Sequence, residues 1–148
     1  MISFYWHIKN FLLSLFSKKT MGARVLVIQG DQILLIKHTY TPGWCTIGGG
    51  IDPGESGLQA LKRELMEEVG VTLSAEPSLL GFYHRPHKKR DDYVVVYVCK
   101  AFEKKDVSSP EISETRWFPL KDLPHDITPG TKRRIEEYLG HRPLSDVW

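Results

Sequence analysis

Three features of the chain predict an α+β fold, with helices packed around a mixed β-sheet. Short aliphatic and β-branched runs alternate with turn residues, as strands do. Two stretches carry helical spacing together with end signals, at 56–69 and 129–139. The 148 residues, 41% hydrophobic and 26% charged, suit one domain able to bury roughly 70% of its unfolded surface.

The elements follow in order. Phe4, Ile8, Phe11, Leu12 and Leu15 recur at helical spacing within the most apolar stretch of the chain. His7, Lys9 and Asn10 interrupt that stretch, so it falls short of the roughly 18–20 apolar residues that span a bilayer. Lys18-Lys19 follows the apolar run instead of preceding it, which argues against an export signal. The expected role of this helix is packing, on its own domain or on a second copy in a homodimer. A peripheral membrane contact through residues 1–16 is the alternative. The chain thus divides into an apolar helical segment, 1–20, and a domain over 21–148.

Ala23–Gln29 and Gln32–Lys37 read as strands joined at Gly30-Asp31, a hairpin signal. Trp44–Ile47 reads as a short strand entering Gly48-Gly49-Gly50. Pro53-Gly54 turns the chain into a helix from Ser56 to Val69, stopped by Gly70. Ser78–Arg85 and Tyr93–Phe102 are predicted strands around a polar loop, Pro86–Asp92, and Thr115–Phe118 a short one. Thr128 and Pro129 supply a cap and first-turn pair for a last helix ending near Leu139.

Twenty Lys and Arg against eighteen Asp and Glu leave a net charge of +2, so no stable nucleic-acid complex is expected. Cys45 and Cys99 are far apart and have no ligand-like spacing. They suggest neither a disulfide framework nor a zinc site, and a cytoplasmic setting is expected. His84 and His87 are spaced H-x-x-H on a strand and a proline-bearing loop, a poor frame for metal. Arg85, His87, Lys88, Lys89 and Arg90 read as a solvated hairpin tip, and Tyr83, Tyr93 and Tyr97 as sheet packing. Cys45 is expected to be a small core residue.

The chemistry concentrates between Gly49 and Val71. Glu64, Glu67 and Glu68 stand at i, i+3 and i+4, so they share one helix face and repel one another. Leu58, Leu61, Leu65 and Val69 form the adjoining apolar stripe, which holds that acidic face close to the protein. Three such glutamates taken alone read as a solvated helix face; as a ligand set, clustered hard oxygens without Cys or His suit Mg²⁺ or Mn²⁺. The glycines before them let backbone approach a ligand closely. Arg63 is placed to reach Glu55 and clamp loop to helix.

Gly49, Glu55, Arg63, Glu64, Leu65, Glu67, Glu68, Gly70 and Val71 match the pattern G-x5-E-x7-R-E-U-x-E-E-x-G-U, with U aliphatic. Seven identities and two aliphatic positions arise in a random window with probability on the order of 10⁻⁹ or less. This pattern is the Nudix box, and the chain resembles the Nudix hydrolase family, MutT-like in size, over about residues 22–140.

The resemblance implies an α/β/α sandwich around a mixed β-sheet and metal-dependent pyrophosphohydrolysis of a nucleoside diphosphate linked to another moiety. Nucleoside triphosphates, nucleotide sugars, ADP-ribose, dinucleotides and capped RNA are the substrate classes it leaves open. It implies metal held by Glu64, Glu67 and Glu68, with a carbonyl of Gly48 or Gly49, and a structural salt bridge between Arg63 and Glu55. The general base is Glu64 or an acid on a late loop, for which Glu111 is the first candidate and Glu114 the second. Arg24, Lys37 and His38 lie where relatives place phosphate or base contacts. Thr46-Ile47 stands where many relatives carry Leu-Pro, a departure that bears on the substrate pocket more than on the chemistry. A Nudix-fold nucleotide-binding or regulatory protein without catalysis is the alternative reading.

Overall fold

The computed structural model describes residues 2–16, 19–87 and 90–148. Lys18, Lys88 and Lys89 of the basic stretches lie outside the described residues, as do the side chains of Ile2, Leu13, Phe16 and His87. The chain runs α1 (Ile2–Phe16), β1 (Lys19–Gln29), β2 (Gln32–His38), β3 (Ile47–Gly50), α2 (Gly57–Val69) and β4 (Val71–Leu73). It continues through β5 (Ser78–His87), β6 (Arg90–Cys99), β7 (Phe102–Lys104), β8 (Ile112–Pro119) and α3 (Pro129–Tyr138).

The main sheet has the order β5-β6-β1-β2-β8, with β3 pairing to β1 outside that path. β1 runs parallel to β6 and antiparallel to β2 and β3, so the sheet is mixed. Strand alternation sends Ala23, Val25 and Val27 to the face covered by α2. Leu26 and Ile28 point to the other face, where Ile135 of α3 and Trp44 cover them. Two helices thus sandwich one sheet, the α+β architecture expected from the residue pattern.

The ends of α2 are set locally. The Ser56 hydroxyl accepts from the Gln59 N–H at 3.1 Å, the Gln59 side chain accepts from the Ser56 N–H at 2.8 Å, and Gly70 closes the last turn. Ala60, Leu61, Leu65 and Val69 bury the apolar stripe, and Glu68 is buried with them. At α3 the Thr128 hydroxyl donates to Thr131 Oγ1 at 2.8 Å and makes no backbone cap; Pro129 occupies the first turn.

Several boundaries differ from expectation. The third strand is Ile47–Gly50, so the glycines themselves are strand, while Trp44 and Cys45 make only isolated bridges. Most of the expected loop at Pro86–Asp92 is strand, because Arg85, Pro86 and His87 continue the ladder against Asp92, Asp91 and Arg90. β4 and β7 form a separate two-stranded sheet whose three-residue runs carry too little alternation to be read. The spacing of α1 is helical as expected, but Phe4, Ile8, Leu12 and Leu15 are exposed, so own-domain packing does not cover them.

A buried ion pair anchors α3. Arg134 Nε and Glu137 Oε2 lie 2.9 Å apart with both side chains fully buried. The Tyr83 hydroxyl donates to Glu137 at 2.7 Å, and the Arg134 guanidinium sits 3.9 Å from the Tyr83 ring centroid. Glu137→Ala would strand a buried guanidinium, and we expect a loss of about 3–5 kcal/mol in denaturant unfolding. A loss below about 1 kcal/mol would mean that Arg134 finds a replacement partner.

Candidate active site

The site forms where α2 lies against β3. β1 and β3 pair Arg24 with Gly48 and Ala23 with Gly49, which fixes the glycines beneath the helix. Gly48 has φ +136°, and a Cβ there would collide with the Ala23 carbonyl. A Cβ at Gly49 would occupy the position of the Glu64 carboxylate. Gly48 therefore requires glycine, and at Gly49 any Cβ would displace the Glu64 carboxylate; this bareness lets two carboxylates sit directly on a strand.

Glu68 Oε2 accepts from the Gly48 N–H at 3.0 Å. Burial pushes its carboxyl up to about 8; Glu64 and Glu111 add to the rise, and the Gly48 bond and Arg24 oppose it. Glu64 is also raised, mainly by burial, with Arg63 working against the shift. Glu67 differs: its side chain is 58% exposed, and its Oε2 lies 3.6 Å from Arg63 Nη1.

Arg63 binds loop to helix with most of its donors. Nε and Nη2 bond the two oxygens of Glu55 at 2.8 Å each, Nη1 bonds Glu64 at 2.8 Å, and Nη2 also reaches the Gly50 carbonyl at 3.1 Å. This bidentate contact depresses Glu55 to about 2 and raises Arg63 above its ordinary range. One guanidinium thus orients the Glu64 carboxylate and ties the glycine strand to the loop.

Around this centre stand Arg24, His38, Tyr40 and Glu111. Arg24 donates to the Thr46 carbonyl at 3.1 Å, and its charge acts on both Glu64 and Glu68. His38 is buried with Nδ1 4.0 Å from Glu68 Oε1, and that nitrogen has no hydrogen-bond partner. Burial, then Arg24, push His38 down to about 4, against a bond to the Glu111 backbone, so at neutral pH it presents no positive charge. Tyr40 stacks on His38 at 4.7 Å, and Trp6 of α1 stacks on Tyr40 at 4.8 Å. Neither aromatic was distinguished in the sequence, because nothing local marks a stack between such distant positions.

Glu111 is exposed, its carbonyl accepts from the Thr39 N–H at 2.9 Å, and its charge reaches Glu68 and Tyr40. Glu114 lines a cleft of about 220 Å³ that opens beside Glu68 between residues 107–109 and 112–115. Lys37 is set apart: it pairs with Asp126 at 3.0 Å and Glu114 at 3.7 Å and lies over the Trp44 ring at 4.9 Å. Its charge is matched by those carboxylates. His84 bonds Asp91 at 2.8 Å, and the Cys45 thiol is pushed up to about 11 by burial, so neither is poised for chemistry here.

The donor set at this centre suits a divalent cation held in part by water. Among the described residues, no three Asp, Glu, His or Cys side chains stand close enough to form a complete cage. Mg²⁺ does not need one, since it retains several waters and takes one or two carboxylates. Glu64 and Glu68 are both desolvated beside glycine backbone, so a cation there would relieve the cost that raises both carboxyls. Hard oxygens fit Mg²⁺ or Mn²⁺ and not a soft metal.

A family model described as NUDIX domain matches residues 18–138. A protein of Bacillus subtilis (strain 168) named "Putative 8-oxo-dGTP diphosphatase" is 33% identical over 120 residues, covering 80% of this chain and 79% of its own length. "NAD-capped RNA hydrolase NudC" of Stutzerimonas stutzeri (strain A1501) is 34% identical over 124 residues, but the chain spans only 44% of that protein. Among solved structures, a MutT NUDIX hydrolase from Burkholderia pseudomallei superposes with a TM-score of 0.73 at 28% identity, over 82% of this chain and 98% of that one.

The Glu68 and His38 shifts give a stability profile for the metal-free protein. Between its ordinary 4.5 and about 8, folded Glu68 holds a proton that the unfolded chain has lost, so stability falls as pH rises. His38 acts oppositely between about 4 and 6.5, where the unfolded chain binds the extra proton. From about 6.5 to 8 His38 no longer opposes the fall that Glu68 causes, and the raised Glu64 acts in the same direction as Glu68. Unfolding midpoints in chelator should fall across that interval, and Glu68→Gln should flatten the decline. An unchanged slope in Glu68→Gln would remove Glu68 as its source.

Proposed function

The chain belongs to the NUDIX family, and from that premise we propose that it is a divalent-metal-dependent pyrophosphohydrolase of nucleoside diphosphate derivatives. The observation that carries this reading is the desolvated pair Glu64 and Glu68, seated on glycine backbone beside an open cleft. A nucleoside triphosphate is the substrate class we favour, since the relative named as a diphosphatase of 8-oxo-dGTP matches over most of both chains.

Glu64 and Glu68, with Glu67 and a carbonyl of Gly48 or Gly49, would hold the cation. Bound there, a divalent cation supplies Lewis-acid polarisation of a phosphoryl oxygen and lowers the pKa of a coordinated water. Arg63 keeps the Glu64 carboxylate oriented, and the Gly48 N–H does the same for Glu68. Arg24 contributes positive charge close to both carboxylates, where a phosphate chain would also lie.

The reaction forms a water-oxygen bond to phosphorus and breaks a bridging phosphoanhydride bond, releasing the remaining phosphate group. The proton lost by water needs an acceptor at the cleft. Glu111 is our first assignment, because it is exposed and its charge is felt at Glu68. Glu114 itself lines the cleft beside Glu68, but its carboxylate is shared with Lys37 and Arg116.

The test is a product-release panel over nucleoside triphosphates, nucleotide sugars, ADP-ribose, dinucleotides and NAD-capped RNA, with Mg²⁺, Mn²⁺ or chelator. Turnover of a triphosphate to monophosphate and pyrophosphate, abolished by chelator, is expected. Nucleotide binding without turnover in any class would favour the non-catalytic alternative.

Within that assay, Glu64→Gln and Glu68→Gln should each lower kcat by at least about a hundredfold. Glu111→Gln should lower kcat within the range of about 10²–10⁴ typical of a lost general base and leave KM near its original value. Wild-type kcat in Glu111→Gln would move the base to Glu64 or Glu114.

A further inference from the structure

The helix α1 is left unexplained by the hydrolytic reading, and its geometry points to a lipid surface. We propose that α1 docks parallel to an anionic membrane, with its outward apolar stripe entering the headgroup boundary.

At about 100° per residue, Phe4, Leu15, Ile8, Leu12 and Tyr5 fall in that order within an arc of about 100°. Phe4 is 71% exposed, Tyr5 70% and Leu15 60%, with Ile8 and Leu12 also open. Trp6 and Asn10 lie on the far side of the helix, about 150° and 170° from the centre of that arc. Both meet the domain, Trp6 through its stack on Tyr40 and Asn10 by accepting from Arg90 at 3.4 Å. The helix is therefore held with its apolar stripe turned outward.

Charge selects the occupant. The first 30 residues contain no Asp or Glu, while His7, Lys9, Lys18 and Lys19 lie in or directly after α1. His7 and Lys9 flank the two edges of the stripe, where headgroups would lie if the stripe faced lipid. A copy of the same helix would bring like charges together with no acid of its own to match them.

Area points the same way. The five stripe residues expose on the order of 500 Å², below the roughly 800 Å² per partner of a standard protein interface. A patch of that size is nonetheless at the upper end for a monomer. Among the described residues, no helix is long and apolar enough to cross a membrane, and α1 has 15 residues, so it would lie on the surface. Apolar insertion combined with basic side chains supplies the two signals that stable peripheral binding takes.

The test floats the full chain with vesicles of phosphatidylcholine alone or phosphatidylcholine containing phosphatidylglycerol. At low salt, recovery with anionic vesicles should exceed that with neutral ones by at least about tenfold. Ile8→Asp combined with Leu15→Asp should abolish flotation with an unchanged melting temperature, since both side chains are exposed. Lys9→Glu leaves the stripe intact and should weaken flotation in a salt-dependent way. No flotation with anionic vesicles, or equal flotation of the doubly substituted chain, overturns the proposal. So does a dimer in light scattering that the double substitution converts to monomer, which would assign the stripe to a second copy of this chain.

Discussion

The contact of α2 with the bare backbone of Gly48 and Gly49 is the constraint on which the site depends. With any larger residue at Gly49, the Glu64 carboxylate would be displaced, and at Gly48 the strand would meet the Ala23 carbonyl. The contact brings two carboxylates out of water, which is unfavourable by itself. Three devices offset that cost: the Gly48 N–H on Glu68, the single Arg63 Nη1 bond on Glu64 and the charge of Arg24 nearby. Burial still outweighs them at both carboxylates, and the site keeps an unmet demand for positive charge.

That imbalance separates the three glutamates of the helix face. They look equivalent in sequence, yet Glu68 is inside, Glu64 is partly inside and tied to Arg63, and Glu67 is in solvent. The difference follows from helix geometry, since Glu68 projects within about 20° of Leu61, which points to the core, while Glu67 lies about 120° from it. Glu67 can therefore approach a ligand at little desolvation cost. Glu68 is already held in place and needs no ordering.

Much of this was legible because it is local. Aliphatic runs gave β1 and β2, Ser56 and Gly70 bracketed α2, and the spacing from Gly49 to Val71 placed loop and helix carboxylates together. What was not legible depends on distant partners or contradicts local preference. Three glycines are poor strand formers, and β3 exists because β1 pairs with them. Arg134 and Glu137 resemble an exposed i, i+3 helix pair, and only Tyr83 and Trp148 closing over them make the pair part of the core. Lys37 alternates away from His38 along β2, and that alternation sends its charge to Asp126 on the other side of the sheet.

The aromatic stack gives α1 a relation to the site that its sequence does not suggest. Trp6 rests on Tyr40, Tyr40 rests on His38, and His38 faces Glu68 across 4.0 Å. His38 is buried and held by the Glu111 backbone, so the stack ends on a side chain with little room to move. A helix seated on such a stack has its rotation fixed, because turning it would withdraw Trp6 from Tyr40 and Asn10 from Arg90. The outward direction of the apolar stripe is thus set by contacts that begin beside Glu68. Whatever covers that stripe is held in a defined orientation to the carboxylates through the same ring stack.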